Sequence, residues 1–250
     1  MPAAFPAQAM ILAAGKGTRL KPLTDDTPKC MLPIAGKPLL EHTIAHLRRC
    51  GVANLMINVH HLSQTLMDYF GDGSRLGVKI SYSQENTLLG TAGGVKNVAA
   101  FFKGTFFVVY GDNLSTCSLK KLHKFHADKN SMLTVALHYR EDPTQSGIVE
   151  TDEEGRIIRF FEKPAPAQIF SRWVSAGILV VEPQVLDLIP QNAACDFARD
   201  IFPNLLNGGY PLYGYRMSSD SAALKEELWW IDNPADLERA RREWSSPQAV

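Results

Sequence analysis

The chain is short of cysteine, carries no excess of either charge and has no long apolar run, and each shortage excludes something. Its four cysteines (Cys30, Cys50, Cys117, Cys195) lie scattered through 250 residues with no C-x-x-C pair. That pattern is neither a disulfide framework nor a thiolate zinc site, and reduced thiols in a cytoplasmic protein are the plain expectation. Lys plus Arg balance Asp plus Glu at 26 each, so the basic excess of a sequence-independent nucleic-acid binder is missing. No apolar run approaches the roughly 20 residues of a membrane span. The opening MPAAFPAQAM lacks the basic start and apolar stretch of a signal peptide. His60 and His61 have no third ligand at metal spacing, and His123 and His126, three apart among lysines, read as a solvated helix face. No Ser-His-Asp grouping is suggested by the order of residues.

What is present is an alternation of apolar strands and helices. Strands are expected over AMILAA, NLMINVH, VKISYSQE, TFFVVYG, MLTVALHY, SAGILVVEP and PLYGYRM, with a hairpin over GIVETDEEGRIIRFFEKP turning at residues 152–155. Helices are expected over residues 38–49, 62–70, 94–102, 119–129, 197–206 and 234–244, with a further one near Val185. Strands apolar throughout, separated by helices, predict an α/β fold whose central sheet is mixed, mostly parallel and covered by helices on both faces. No linker or low-complexity tract interrupts residues 1–250, so one domain is expected, with only residues 1–8 and 245–250 flexible. No hexapeptide β-helix repeat follows these elements, which predicts a stand-alone chain.

The most informative stretch is LAAGKGTRLKPLTDDTPKCMLPIAGKPLLEH, from Leu12 to His42. A strand over residues 9–14 breaks into Gly15-Lys16-Gly17-Thr18-Arg19, which offers backbone N–H groups, a hydroxyl and a guanidinium at one point. Glycines permit close backbone approach and Arg grips phosphoryl oxygens through several donors, so the run suits a polyphosphate. Lys29, between Pro28 and Cys30, adds a compact second cation. The dinucleotide pattern G-x-G-x-x-G fails because Leu20 stands where its third glycine belongs, and the P-loop pattern is absent. Asp112 follows the apolar run Phe106–Tyr110 directly, at the carboxyl end of a strand where α/β sheets gather ligands. A carboxylate there suits Mg²⁺, which binds few carboxylates and shares itself with phosphates.

The whole Leu12–His42 run closely resembles the amino-terminal signature of sugar-1-phosphate nucleotidyltransferases, the NDP-sugar pyrophosphorylases. It is most similar to the short guanylyltransferase-type members acting on mannose-like or heptose 1-phosphates. The resemblance implies a Rossmann-like (GT-A-like) fold and Mg²⁺-dependent transfer of a nucleotidyl group from a nucleoside triphosphate to a sugar 1-phosphate. It implies nucleotide contacts from Leu12, Ala13, Ala14, Gly15, Lys16, Gly17, Thr18 and Arg19, and catalytic roles for Arg19, Lys29 and Asp112, the last as metal ligand.

Three further segments take their roles from the same resemblance. ENTLLGTAGG resembles the base-recognition loop, with Gly90, Thr91, Ala92 and Gly93 allowing close approach to a flat base and Glu85 five residues before Gly90. A carboxylate accepts the two donors of guanine together, which favours GTP; UTP or dTTP, with a hexose or amino-sugar 1-phosphate, is the alternative. Gly147, Glu162, Lys163 and Ser175 fall where relatives hold the sugar phosphate, although Asn is common at the place of Ser175. Near the end, many relatives carry D-I-G-T-P, whose Asp is the second metal ligand. The ungapped match here puts Trp230 at that place, two residues before Asp232. Asp232 is therefore a candidate second ligand and equally, with Asn233, a candidate cap for the helix beginning at Pro234. That displacement keeps a non-catalytic nucleotide-sugar-binding or regulatory subunit in view. Oligomeric state is not legible.

Overall fold

The computed structural model describes residues 4–218 and 225–245. Of the ends expected to be flexible, residues 1–3 and 246–250 lie outside the described residues. Phe5, by contrast, packs its ring 5.5 Å from that of Phe107 and 5.4 Å from that of His123, and Gln8 already opens the first strand. The described chain is α/β with a mixed sheet, as expected, and its packing divides it into two compact units, each drawn from separated stretches of sequence.

The first unit holds residues 7–88, 109–116 and the chain from Leu228 onward. Its strands Gln8–Leu12, Asn54–Val59 and Lys79–Gln84 run parallel, with Leu12 opposite Asn58 and Asn58 opposite Ser83. Parallel strands need crossover connections, and the helices Leu39–Arg49 and Ser63–Phe70 lie in them. The first of these buries Leu39, Leu40, Ile44 and Leu47, the helical spacing that turns one stripe inward. Two short strands, Asn113–Ser115 and Leu228–Trp230, pair antiparallel, and the helix Pro234–Glu243 follows. Leu20, Leu32, Ile34, Leu39, Leu114, Ile231, Leu237, Ala240 and Trp244 form a core under this region. A long-range bond ties the chain together beside it: Trp244 Nε1 donates to His42 Nδ1 at 3.3 Å while His42 Nε2 lies 2.8 Å from the Ile34 carbonyl.

The second unit holds residues 89–108 and 117–227 as far as they are described, with the chain before Ala7. Here the strand Trp173–Val181 pairs antiparallel with Leu133–Tyr139 and with Gly147–Thr151, which in turn pairs antiparallel with Ile157–Glu162. Leu212–Arg216 runs parallel to Leu133–Tyr139. The helix Leu119–Asp128 is capped by Ser118 and buries Leu119, Leu122, His123 and His126. His123 and His126 are therefore not on a solvated face as expected. They occupy the i, i+3, i+4, i+7 stripe that the helix turns to the core, and His126 is held by Thr134 Oγ1 at 2.8 Å and Glu182 Oε1 at 3.1 Å.

Helix boundaries shift in three places. The helix expected over residues 94–102 begins earlier, at Gly90, and ends at Asn97 before a 3₁₀ turn Ala99–Phe101. The one expected over 197–206 divides into a π-turn Phe197–Ile201 and an α-helix Phe202–Asn207, and the one near Val185 is a 3₁₀ segment, Pro183–Leu188. Among the described residues no helix is long and apolar enough to cross a membrane.

Candidate active site

The glycine loop is shaped by its second glycine. Gly17 has φ of 61°, and a Cβ on it would stand 2.9 Å from Lys29 Cβ and 3.1 Å from Thr24 Cγ2. Only glycine allows both the left-handed backbone and that approach. Thr24 Oγ1 donates to the Gly17 carbonyl at 2.9 Å and Leu20 N–H to the same oxygen at 2.9 Å, so the turn is closed on itself. Gly15 differs: a Cβ there would meet nothing within 4 Å, so nothing in the fold demands glycine at that position. Lys16, Thr18 and Arg19 are exposed, while Leu12 and Ala13 are half-buried and Ala14 is buried.

Lys29 is only 7% exposed, an unusual place for an ammonium group unless it is paired. Its Nζ lies 2.7 Å from Asp112 Oδ2 and 3.6 Å from Asp232 Oδ1, and Arg19 Nη2 donates to Asp232 Oδ1 at 3.0 Å. The structure thus brings Arg19, Lys29, Asp112 and Asp232 together. Asp112 is placed by Gly111, whose amide donates to the Leu12 carbonyl at 2.9 Å; a Cβ on Gly111 would press on Ile11 at 2.9 Å. Cys30 beside it is inert, its thiol pushed up to about 12 by burial and by the charge of Asp112.

Trp230 stands opposite Asn113 in the short antiparallel pair. Asp232 follows two residues later, and its carboxylate and that of Asp112 both reach Lys29 Nζ. The cap question resolves locally as well. Asn233 is the capping residue, its Oδ1 accepting from Asp236 N at 3.0 Å, while the Asp232 side chain turns to the two cations. Two carboxylates converging on one ammonium give an all-oxygen donor pair of the kind Mg²⁺ takes alongside phosphate oxygens. Among the described residues no group of three or more His, Cys, Asp or Glu is gathered for a metal.

Glu85 is buried, with Asn58 Nδ2 donating to its Oε1 at 2.8 Å. Asn58 Oδ1 accepts the Ala13 amide at 2.8 Å. Sequence reasoning passed over Asn58. The signal was there, an amide side chain set between Ile57 and Val59 in the otherwise apolar stretch LMINV.

The second unit contains the other expected positions. Gly90, with φ of 75°, and Gly93 lie against the chain 193–195, where a Cβ would come within 2.5 Å of the Cys195 carbonyl and 2.7 Å of the Ala193 carbonyl respectively. The amides of Ala92 and Gly93 both donate to the Cys195 carbonyl at 3.0 Å, and Thr91 Oγ1 accepts from Phe197 N at 2.9 Å. These glycines therefore have a packing reason of their own. Gly147 stands opposite Glu162 in the strand register, and a Cβ on it would come within 2.7 Å of Glu162 Oε2. Burial raises the Glu162 carboxyl above its ordinary value, with Lys163 and Arg199 opposing that and Asp196 adding to it. Lys163 has φ of 52°, a strained backbone for a side chain of its kind. Ser175 precedes an irregularity in its strand, where its Oγ accepts from Gly177 N at 3.4 Å.

Known proteins resemble this chain in sequence and in fold. The family model described as nucleotidyl transferase matches residues 8–242. A UTP–glucose-1-phosphate uridylyltransferase of Synechocystis is 40% identical over 239 residues, covering 90% of this chain and 59% of the relative. A mannose-1-phosphate guanylyltransferase of Mycobacterium tuberculosis is 39% identical over 236 residues, covering 92% and 64%. The chain thus spans about three-fifths of the length of these curated relatives. Among solved structures, HddC from Yersinia pseudotuberculosis superposes with a TM-score of 0.79 at 23% identity, covering 95% of this chain and 99% of that one. A UDP-glucose pyrophosphorylase complexed with UDP-glucose gives 0.79 at 20% identity, with 95% and 97% covered. Likeness at that level of identity speaks to the fold.

Proposed function

The chain belongs to the nucleotidyl transferase family, and on that premise we propose that it transfers a nucleotidyl group from a nucleoside triphosphate to a sugar 1-phosphate. The observation that carries this reading is the meeting of Arg19, Lys29, Asp112 and Asp232 beside the glycine loop. A phosphate oxygen of the sugar 1-phosphate attacks the α-phosphorus. The new P–O bond forms as the bond from that phosphorus to the α,β-bridging oxygen breaks, and pyrophosphate leaves with the electron pair. The nucleophile is already an anion, so no general base is required, and catalysis reduces to positioning and charge neutralisation.

In this scheme Gly15 and Gly17 let the backbone approach the triphosphate, and Arg19, with Lys16, holds the departing pyrophosphate. Lys29 lies between the α-phosphate and the attacking phosphate. Asp112 and Asp232 would hold Mg²⁺, which when bound neutralises phosphoryl charge. Glu162 and Lys163, with Gly147 and Ser175, take the sugar phosphate. Glu85 favours guanine, since one carboxylate can accept from both donors of that base. Sequence identity does not choose the base, because a uridylyltransferase and a guanylyltransferase stand at 40% and 39%. The reading as a non-catalytic binding subunit drew on the displacement of Asp232, and the contact of that carboxylate with Arg19 and Lys29 counts against it.

The test is pyrophosphate release from GTP, UTP, dTTP, CTP and ATP against a panel of hexose, amino-sugar and heptose 1-phosphates, with Mg²⁺. One preferred pair, with GTP as the nucleotide, is the expected result. A preference for UTP or dTTP would refute the role given to Glu85. Silence across the panel, with nucleotide binding intact by calorimetry, would point to a sugar 1-phosphate outside the panel or to the binding-subunit reading.

A further inference from the structure

Asn58 is 3% exposed and stands among the buried residues Leu55, Met56, Ile57 and Val59 of its strand. A buried amide side chain is costly unless both its ends are satisfied. Here they are satisfied by two different parts of the first unit. Its Oδ1 takes the amide of Ala13, where the first strand gives way to the glycine loop, and its Nδ2 reaches the Glu85 carboxylate, each at 2.8 Å. The backbone of Glu85 is fixed by the neighbours of Asn58: Glu85 N donates to the Val59 carbonyl at 2.8 Å, and His60 Nδ1 lies 2.8 Å from the Glu85 carbonyl. Among short side chains only asparagine offers a donor and an acceptor on one rigid plane; aspartate, when ionised, could keep the Ala13 bond but not donate to Glu85, so its variant is read at a pH high enough to ionise both carboxyls.

We infer that Asn58 is a specificity-determining positioning residue, which sets the carboxylate of Glu85 at a fixed place relative to the loop that begins at Ala13. The inference rests on the nucleotidyl transfer proposed above and adds to it the residue on which base discrimination depends. Asn58 acts through Glu85 and Ala13 and touches no substrate itself.

Asn58→Asp and Asn58→Ala in the full chain separate its two bonds. The readouts are the ratio of kcat/KM for GTP to that for UTP and the hydrogen-exchange protection of the Ala13 amide. Asn58→Asp should keep protection at Ala13 within a few-fold of wild type while the discrimination ratio falls about tenfold or more, the scale set by losing a hydrogen bond to a charged group. Asn58→Ala should lose both. A discrimination ratio unchanged in both variants would overturn the inference, whatever happens at Ala13, because a purely structural amide would move protection and not base choice. If Asn58→Asp does not fold, the ratio in Asn58→Ala decides alone. Failure of wild type to turn over any of the nucleotides in the panel above is a different outcome, which counts against the transferase reading itself.

Discussion

Replacing Lys29 with methionine separates its chemical from its structural part. The substitution keeps an unbranched stem where Lys29 Cβ packs over Gly17, and removes the charge between Asp112 and Asp232. At 2.7 Å the attraction to Asp112 is about 6 kcal/mol in an effective dielectric near 20, before desolvation is counted. The Asp112 side chain is 39% exposed, so water screens it and can solvate it once the lysine is gone. Arg19 stays paired with Asp232. The net loss of stability should therefore be only about 1–2 kcal/mol, or roughly 2–8 °C in Tm for a chain of this size. Loss of a charge aimed at the transferring phosphoryl group should instead lower kcat by about 10²–10³. Thermal melts beside steady-state pyrophosphate release read both quantities. A kcat within threefold of wild type would remove Lys29 from the chemistry, and a loss of stability above about 4 kcal/mol would make it a strut of the fold.

Asp232 and Asn233 should divide just as cleanly: Asn233→Ala should cost about 1 kcal/mol as a lost helix cap and leave kcat unchanged, while Asp232→Asn should lower kcat about 10²-fold with Tm nearly unmoved. The reverse pattern would contradict the geometry described. Gly17→Ala should destabilise by about 1–3 kcal/mol and lower kcat, because its methyl would meet Lys29 Cβ in a left-handed backbone; an unaltered melt would show that the loop rearranges freely. Burial holds the imidazoles of His42 and His123 below their usual value of 6.5. The unfolded chain therefore binds more protons below that pH, and stability should fall on acidification through 6.5 by at most about 1.4 kcal/mol per pH unit for each histidine. Denaturant midpoints that stay level between pH 7 and pH 5 would contradict that.

The parts of the fold that announced themselves are those with a local physical cause. Phe106–Tyr110 is apolar enough to be a buried strand whatever surrounds it, and Asp112 follows it directly. Gly17 was visible as a loop glycine, but its necessity comes from Lys29, twelve residues away, which only the folded turn brings near. Counting residues from Trp230 cannot show that Asp232 meets Lys29 and Arg19, because that meeting is a tertiary fact. His123 and His126 were misjudged because lysines beside them suggested a wet face, whereas their phase with Leu119 and Leu122 places them inside. The π-turn Phe197–Ile201 has no periodicity that distinguishes it from a helix. Asn58 was hidden by its neighbours, since an apolar strand reads as core whether or not it carries one polar residue with work to do.

Transfer differs from binding and from hydrolysis in the fate of the α-phosphorus, and the most direct test follows that atom. Supplied with the preferred nucleoside triphosphate labelled at the α-phosphate, Mg²⁺ and the preferred sugar 1-phosphate, the wild-type chain should move the label into a nucleoside diphosphate sugar and release unlabelled pyrophosphate in equal amount. Omission of the sugar phosphate should stop both. Label that remains in the triphosphate for GTP, UTP and dTTP alike under every sugar phosphate, or that appears as free nucleoside monophosphate without one, would contradict nucleotidyl transfer.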